Sequence, residues 1–265
     1  MGDRVLVTGS GSGLGRAVAA RFHRAGYRVL VSDVDGEAAS ATAKELGVPG
    51  ITLDVTSEED WSAALDWCER EWDGLDVLVN NAGVAAGGRF EKISMADWDW
   101  IWEINVKGVV LGCRTFVPSF KERRQGHLVN VASLAAIMNL PAMSSYNVTK
   151  AAVLSLSETL RLELEPYGVH TTVVCPAFVQ TNLQTRLRSP DPAIAALMHK
   201  LMTSSTVTAD DVAEQVFDAV ARKRFLVLTH KDGRRSALLK RFGLTDGQVR
   251  KYWTRLRAAV EKGDK

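Results

Sequence analysis

Cysteine is scarce in this sequence, and the few cysteines are far apart. The 265 residues include three, Cys68, Cys113 and Cys175, each in an apolar or helical stretch. An odd number of separated thiols does not build a disulfide framework, so we predict buried free thiols and a cytoplasmic location. The five histidines share no metal-ligand spacing, and the sequence therefore predicts no metal site.

Long apolar runs are also missing. The sequence has no run of about 18 apolar residues, the length that would cross a bilayer. Strand-like residues begin at Arg4 without a basic and apolar leader before them. We therefore expect neither a membrane span nor secretion. No repeat, linker or low-complexity tract divides the chain, which predicts one domain over residues 1–265.

Charge of one sign does not dominate the chain, but it is unevenly placed. The net charge is +2, whereas residues 222–265 carry 14 Lys or Arg and 4 Asp or Glu. We predict a basic amphipathic helical extension over residues 230–265, with an apolar stripe made of Val249, Trp253, Leu256 and Val260. It is interpreted as a docked helix with a solvated basic face, a lid, a subunit contact, or a dock for an anionic partner such as an acyl carrier protein. No aromatic-basic motif accompanies the charge, so we expect no nucleic-acid binding.

Short apolar runs alternate with helical segments along the whole chain. The predicted strands are Arg4–Thr8, Tyr27–Ser32, Val48–Leu53, Leu75–Val79, Gly126–Val131, Val169–Cys175 and Phe225–Leu228. Predicted helices follow them, among them one long helix from Ser94 or Asp97 to about Lys121, and another from Ser145 or Tyr146 to about Tyr167. Strands that are apolar throughout are buried on both faces, which is typical of a parallel sheet. The fold class is therefore α/β, a single doubly wound domain with a seven-stranded parallel sheet and helices on both faces.

A glycine-rich loop follows the first strand and opens the first helix. It contains Gly9, Gly11, Gly13 and Gly15. Glycines let a backbone approach a pyrophosphate closely, and the helix N-terminus attracts negative charge. Asp33 ends the second strand, where a carboxylate binds ribose hydroxyls and repels a 2′-phosphate. These features favour NAD over NADP, although Asp33 is also interpreted as a loop-capping residue.

Tyr146 and Lys150 are spaced i, i+4 at the start of a predicted helix and share one face. An ammonium group favours the phenolate, so Lys150 is expected to lower the pKa of Tyr146. A tyrosine of that kind exchanges a proton with an alcohol or carbonyl oxygen. Ser133 lies upstream, and its hydroxyl could bond the same oxygen. The alternative interpretation is an ordinary surface pair.

These motifs occur in one order together with Asn80-Asn81-Ala82-Gly83 and Asn105. The set resembles the short-chain dehydrogenase/reductase family of the classical type, over about Arg4 to Val227. The resemblance implies a Rossmann fold, with Tyr146 as general acid/base, Lys150 on the nicotinamide ribose, Ser133 on the substrate oxygen and Asn105 holding a water in a proton relay. The cofactor-binding residues that it implies are Gly9, Ser10, Ser12, Gly13, Leu14, Gly15, Asp33, Asp54, Val55, Asn81, Ala82, Gly83, Tyr146, Lys150, Pro176, Val179 and Thr181.

Apolar and methionine side chains are expected to shape the substrate pocket beside Ser133, and they suit a bulky hydrophobic substrate. The expected residues are Ala135, Met138, Met143, Phe178 and Leu183, with Leu134, Leu140, Leu187, Leu197, Met198 and Met202 as further candidates. The alternative is that half of them belong to the core. The departure from the family pattern is Ala177 after Pro176, where the family has glycine, and we expect a small shift in that loop.

The leading functional hypothesis is an NAD-dependent oxidoreductase acting on a hydrophobic secondary alcohol or ketone. A 3-oxoacyl thioester reductase, using an acyl carrier protein or CoA substrate, is the first alternative, and a non-catalytic redox sensor is the second. The segment Tyr146–Glu165 is apolar on more sides than one buried face needs, so we also predict a homo-oligomer, either a tetramer or a dimer.

Overall fold

A computed structural model describes residues 3–179 and 187–230, together with residues 247, 250, 253, 254 and 257. Seven parallel strands form one sheet in the order β3-β2-β1-β4-β5-β6-β7. Their bounds are β1 Arg4–Thr8, β2 Arg28–Asp33, β3 Gly50–Thr52, β4 Val77–Asn80, β5 Gly126–Val131, β6 Val169–Cys175 and β7 Leu226–Leu228. The strand order reverses between β1 and β4, and ligands of such sheets bind outside the carboxyl ends of the strands at that point.

Nine helices pack around the sheet within the described residues. They are α1 Gly13–Arg24, α2 Gly36–Leu46, α3 Glu58–Trp72, α4 Met95–Trp102, α5 Gly108–Arg123, α6 Ala135–Met138, α7 Ser144–Leu164, α8 Pro192–Thr203 and α9 Ala209–Ala221. Short 3-10 segments cover Phe90–Lys92 and Glu165–Tyr167. No helix in the described part of the chain is long and apolar enough to cross a membrane.

Both faces of the sheet are buried, because successive strand residues enter different hydrophobic clusters. Leu6 and Leu78 pack with Trp61 of α3 and Phe116 of α5. Val5, by contrast, packs on the other side with helix residues such as those of α1 and α9. The predicted doubly wound α/β fold with seven parallel strands is confirmed.

The predicted long helix from Ser94 or Asp97 to Lys121 is interrupted. A π-helical stretch, Glu103–Lys107, separates α4 from α5. The apolar pattern continues through this stretch, so the wider turn leaves no periodic signal in the sequence. Such single π-turns are frequent at functional sites, and this one contains the predicted site residue Asn105.

Candidate active site

A cleft of about 760 Å³ opens at the carboxyl ends of the strands. It brings together most of the residues that the sequence predicts for the site. Those that line it are Gly9, Ser12, Gly13, Leu14, Gly15, Asp33, Asp54, Val55, Asn81, Ala82, Gly83, Ser133, Ala135, Met138, Met143, Tyr146, Lys150, Pro176, Phe178 and Val179.

Several predicted residues do not reach the cleft or are not described. Ser10 is fully buried, and its hydroxyl donates to the carbonyl of Val7 at 2.7 Å and accepts from the Ser32 amide at 2.9 Å. It therefore ties β1 to β2 instead of facing a ligand. Thr181 and Leu183 lie outside the described residues, as does the side chain of Met202.

The glycine-rich loop forms a close-packed cradle at the start of α1. Gly9 and Gly13 have positive φ angles of 61° and 54°. A methyl group on Gly15 would lie 2.2 Å from the carbonyl oxygen of Gly9, so no side chain fits there. Ser12 is the N-cap of α1 but makes no side-chain capping bond. The amides at this helix end thus face the cleft without a protein carboxylate or hydroxyl cap, as an anionic pyrophosphate requires.

Asp33 both holds the loop and lines the cleft. One carboxylate oxygen accepts from the Gly11 amide at 3.0 Å, and the other accepts from the Asp35 amide at 3.1 Å. Each oxygen keeps further lone pairs for hydroxyl donors. Beside it, Val34 is 56% exposed and also lines the cleft. This end of the cleft suits a ribose diol, and the adjoining side chain offers no cation for a phosphate.

Ser133, Tyr146 and Lys150 are three buried polar groups on one wall of the cleft. Lys150 Nζ donates to the carbonyl of Val131 at 3.0 Å and lies 5.8 Å from the centre of the Tyr146 ring. The Ser133 hydroxyl accepts from the Ala135 amide at 3.1 Å and is 3.3 Å from the carbonyl of Pro176. The helical spacing of Tyr146 and Lys150 places them together on α7, as the sequence predicts.

The pKa values of this pair differ from the sequence-based expectation. Burial raises the pKa of Tyr146, and its contact with Ser133 acts in the opposite direction. Burial also lowers the pKa of Lys150 to about 8. The expected depression of the Tyr146 pKa is therefore wrong for the protein groups alone, because burial of the phenol is the largest influence and the lowering contact is with Ser133, not Lys150.

Asn105 is fully buried in the π-helical stretch and faces a neighbouring loop. Its Oδ1 accepts from the Val84 amide at 2.8 Å, and its Nδ2 donates to the Val84 carbonyl at 2.9 Å. A methyl group added to Gly83 would lie 3.1 Å from Asn105 Oδ1 and 3.3 Å from Lys150 Nζ. Asn105 thus fixes the loop after β4 close to the Lys150 ammonium group, although its side chain does not line the cleft.

The other end of the cleft is apolar. Met143 and Tyr146 belong to a buried cluster with Ile101, Ile194 and Met198, against which Phe178, Leu187 and Leu197 pack. Among the lining residues that are absent from the predicted set are Val84, Ala85, Trp100 and Ile104. Trp100 precedes Asn105 by five residues, and this proximity is the signal that could have identified it.

Trp253 is the described residue that connects the C-terminal stretch to this cluster. It has helical backbone geometry and packs, half-buried, against the group that contains Met143 and Tyr146. Trp253, one residue of the predicted apolar stripe, thus packs against the protein's own apolar cluster. The remaining stripe residues, Val249, Leu256 and Val260, lie outside the described residues.

Metal and thiol chemistry find no support in the described residues. No group of three His, Cys, Asp or Glu side chains there could hold a metal ion. Cys68, Cys113 and Cys175 are buried free thiols, and burial raises the pKa of each to about 12. Thiolates are therefore disfavoured near neutral pH.

Comparisons with known proteins agree with this geometry. A family model described as short chain dehydrogenase matches residues 3–192. The probable oxidoreductase EphD of Mycobacterium tuberculosis is 35% identical over 83% of this chain, which spans only 40% of that longer relative. The 1-deoxy-11-beta-hydroxypentalenate dehydrogenase of Streptomyces exfoliatus is 34% identical over 86% of this chain and 83% of its own. A crystal structure from Burkholderia phymatum, a short chain dehydrogenase/reductase in complex with NAD, is 34% identical with a TM-score of 0.85, covering 90% of this chain and 92% of that one.

Proposed function

Since this chain belongs to the short-chain dehydrogenase family, we propose that it is an NAD-dependent oxidoreductase acting on a hydrophobic secondary alcohol or the matching ketone. The observation that carries the proposal is the convergence of Ser133, Tyr146 and Lys150 on one cleft that also contains the glycine cradle. Relatives named as dehydrogenases, such as that of Streptomyces exfoliatus, support the reaction class.

The nicotinamide cofactor fits the cleft at three points. The amides at the N-terminus of α1 would bind the pyrophosphate, and Asp33 would accept bonds from the adenosine ribose hydroxyls. Lys150 would bond the hydroxyls of the second ribose. The cofactor, when bound, supplies the hydride acceptor or donor. NAD is favoured over NADP because the Asp33 carboxylate repels an added 2′-phosphate.

Proton transfer belongs to Tyr146. In oxidation its phenolate takes the hydroxyl proton of the alcohol as the hydride leaves the carbinol carbon, and in reduction the phenol returns that proton to the carbonyl oxygen. The Ser133 hydroxyl donates to the same oxygen and orients it. The Lys150 ammonium stabilises the phenolate form of Tyr146, which offsets part of the free-energy cost of burying that charge. Asn105 holds the loop beside Lys150, where we place the water of a proton relay.

The substrate end selects for apolar groups. The cleft there is lined by Ala135, Met138, Met143 and Phe178. All four side chains are uncharged, so none of them can pair with a carboxylate or phosphate of the substrate. Methionines adapt to irregular shapes. This composition favours a hydrophobic carbinol substrate, with the 3-oxoacyl thioesters as the alternative class.

A cofactor and substrate screen with matched tyrosine variants tests the proposal. Purified protein receives NAD or NADP with hydrophobic secondary alcohols, and NADH with ketones and 3-oxoacyl thioesters, while the absorbance of the reduced cofactor is followed. Tyr146→Phe should lower kcat by about 100-fold or more, as expected for loss of a general base. Tyr167→Phe, a control at a partly exposed tyrosine outside the cleft, should retain the activity.

Other outcomes of the screen separate the alternatives. Turnover of thioesters without alcohols would favour the acyl reductase. NADH binding without turnover of any member of the panel would favour the redox sensor and contradict the enzyme. Activity that survives Tyr146→Phe would contradict the assigned role of Tyr146.

A further inference from the structure

Trp100 is a large wall residue of the cleft to which the proposed chemistry gives no role. It lies in α4, lines the cleft and packs against the cluster that contains Met143 and Tyr146. Its neighbours on the same helix differ from it. Trp98 pairs edge-on with Phe90 at 6.5 Å, and Trp102 is 44% exposed, and neither lines the cleft.

Arg188 holds the Trp100 ring from outside its own helix. The guanidinium carbon of Arg188 lies 3.8 Å from the centre of the Trp100 ring, and its Nη1 is 3.6 Å from Asp97 Oδ1. A guanidinium group stacked on an aromatic face at this distance is attracted by the ring and restricts its rotation. The Trp100 wall is therefore fixed by a residue that lies 88 positions later in the chain.

The backbone of Arg188 is itself anchored to the loop after β4. Its amide donates to the Ala85 carbonyl at 3.1 Å, and its carbonyl accepts from the Gly87 amide at 3.0 Å. Three residues later, the buried Asp191 accepts from the Arg89 amide and Nη2, each at 2.7 Å. The Asp191 side chain is only 3% exposed and that of Arg89 20%, so salt screens this ion pair less than a fully exposed one. The segment carrying Arg188 is thus held at the stacking residue itself and again three residues later, at Asp191.

We propose that Trp100 is a specificity-determining residue that limits the size of the apolar substituent on the carbinol carbon, and that Arg188 is its positioning residue. A rigid ring in a pocket wall excludes a bulky group sterically, whereas a ring that can rotate yields to it. This inference deepens the proposed function and rests on it for the identity of the substrate class.

The first test compares a small and a large cyclic alcohol in the wild type and two tryptophan variants. Trp100→Ala should raise the ratio of kcat/KM for cyclododecanol to that for cyclopentanol by about 10-fold or more, the scale on which pocket size discriminates. Trp98→Ala removes an equal volume from the same helix outside the cleft and should leave the ratio unchanged. An equal ratio in all three proteins would overturn the role of Trp100.

The second test separates positioning by Arg188 from general support of the fold. Arg188→Leu should increase KM for cyclopentanol several-fold with little change in kcat, because the wall becomes loose while Tyr146 stays in place. Arg188→Lys keeps the charge but not the planar stack, and it should behave like Arg188→Leu. A wild-type KM in Arg188→Lys would contradict a stacking role. So would a fall in kcat as large as the rise in KM.

A binding measurement keeps this inference distinct from the proposed reaction. The rise in Tm caused by cyclopentanone or cyclododecanone is measured in the presence of NADH, which requires no turnover. Trp100→Ala should gain response to cyclododecanone, and Trp98→Ala should not, even if no alcohol is oxidised. If neither ketone shifts the Tm of the wild type, or if the two variants respond alike, the inference is wrong.

Discussion

We base the proposed preference for NAD over NADP on the carboxylate of Asp33. Asp33→Ser should lower kcat/KM for NAD by about 10-fold and raise it for NADP, because a 2′-phosphate no longer meets a buried negative charge. Steady-state kinetics with both cofactors measures the change. A gain with NADP cannot come from simple damage to the fold, although Asp33 also holds the Gly11 amide.

Asp35→Asn is the matched control for this substitution. It removes a carboxylate two residues away and retains an oxygen that accepts from the Glu37 and Ala38 amides. The cofactor ratio should change little. If Asp35→Asn alters the ratio as much as Asp33→Ser, long-range charge sets the preference and direct contact does not.

Ser133 influences the proton affinity of Tyr146. Its contact lowers a pKa that burial raises, so its loss leaves the phenol harder to ionise. In the wild type, kcat/KM for alcohol oxidation should rise with pH, because oxidation needs the phenolate. For Ser133→Ala we expect that rise to occur at higher pH. The pH profile of kcat/KM between about pH 6 and 10 measures this shift. Ser155→Ala, on the exposed side of α7, should leave the profile in place, and a shift to lower pH in Ser133→Ala would contradict the assignment.

Individual residues differ in how well the sequence predicts their place. Tyr146, Lys150 and Asp33 carry charge or protons in a strongly constrained pattern, and all three reach the cleft. Ser10 belongs to the same loop motif but faces inward, because its hydroxyl bonds the Val7 carbonyl and the Ser32 amide. For Trp100 the sequence offers only its proximity to Asn105, because Arg188, which stacks on its ring, is remote in sequence.

At the scale of elements, the β1–α1 turn tolerates no added volume. A methyl group on Gly15 would lie 2.2 Å from the Gly9 carbonyl oxygen and 2.5 Å from Asn81 Nδ2. Gly15→Ala should therefore reduce the free energy of unfolding by about 1–3 kcal/mol, the usual cost of overpacking. It should also weaken NADH binding, because the loop must shift away from the pyrophosphate site. Urea unfolding and a fluorescence titration with NADH measure the two effects.

Gly247→Ala gives the opposite expectation and serves as the control. Gly247 has helical geometry and is exposed, and a methyl group there would meet no atom of the described residues within 4 Å. Alanine favours helix over glycine by up to about 1 kcal/mol, so stability should stay equal or rise while NADH affinity is unchanged. A Gly15→Ala protein with wild-type affinity for NADH would show that the cradle is not a cofactor site.

Regular elements follow from periodicity, whereas their interruptions do not. The strands and the helix that carries Tyr146 are close to their predicted bounds, because burial of apolar runs determines them. The third strand is shorter than predicted, at Gly50–Thr52, and α6 lies in a stretch for which no helix is predicted. The π-turn around Asn105 coincides with tertiary bonds to Val84, which no local pattern contains.

At the scale of the whole molecule, a buried histidine makes folding sensitive to acid. Burial lowers the pKa of His127 to about 3, against 6.5 for the free side chain. Its Nε2 is 2.7 Å from the Thr172 hydroxyl, which donates to the Arg224 carbonyl, so Nε2 acts as the donor. The folded state thus stays neutral at His127 while the unfolded state takes up a proton below pH 6.5.

Because the folded and unfolded states bind this proton differently, stability should fall as the pH falls. Between about pH 6.5 and 3, His127 should reduce the stability of the wild type by about 3–5 kcal/mol. His127→Gln, which cannot titrate, should show a flatter loss of stability over that range, measured by urea unfolding at several pH values. His23→Gln, at an exposed site, is the control and should retain the wild-type slope. A His127→Gln protein with the wild-type slope would show that the carboxylates alone cause the acid sensitivity.

The outer face of α7 supports the predicted homo-oligomer. Val148 and Leu162 are 47% and 62% exposed there, while Val153 and Leu164 are buried in the protein's own core. One helix thus presents apolar surface on a second side, and apolar surface of this kind is reduced by association. We expect a dimer or tetramer in light scattering at micromolar concentration. The double variant Val148→Glu/Leu162→Glu should have a smaller mass and an unchanged fold by circular dichroism. Met95→Glu, at an apolar site that is 71% exposed elsewhere, should keep the wild-type mass, and a monomeric wild type would overturn the prediction.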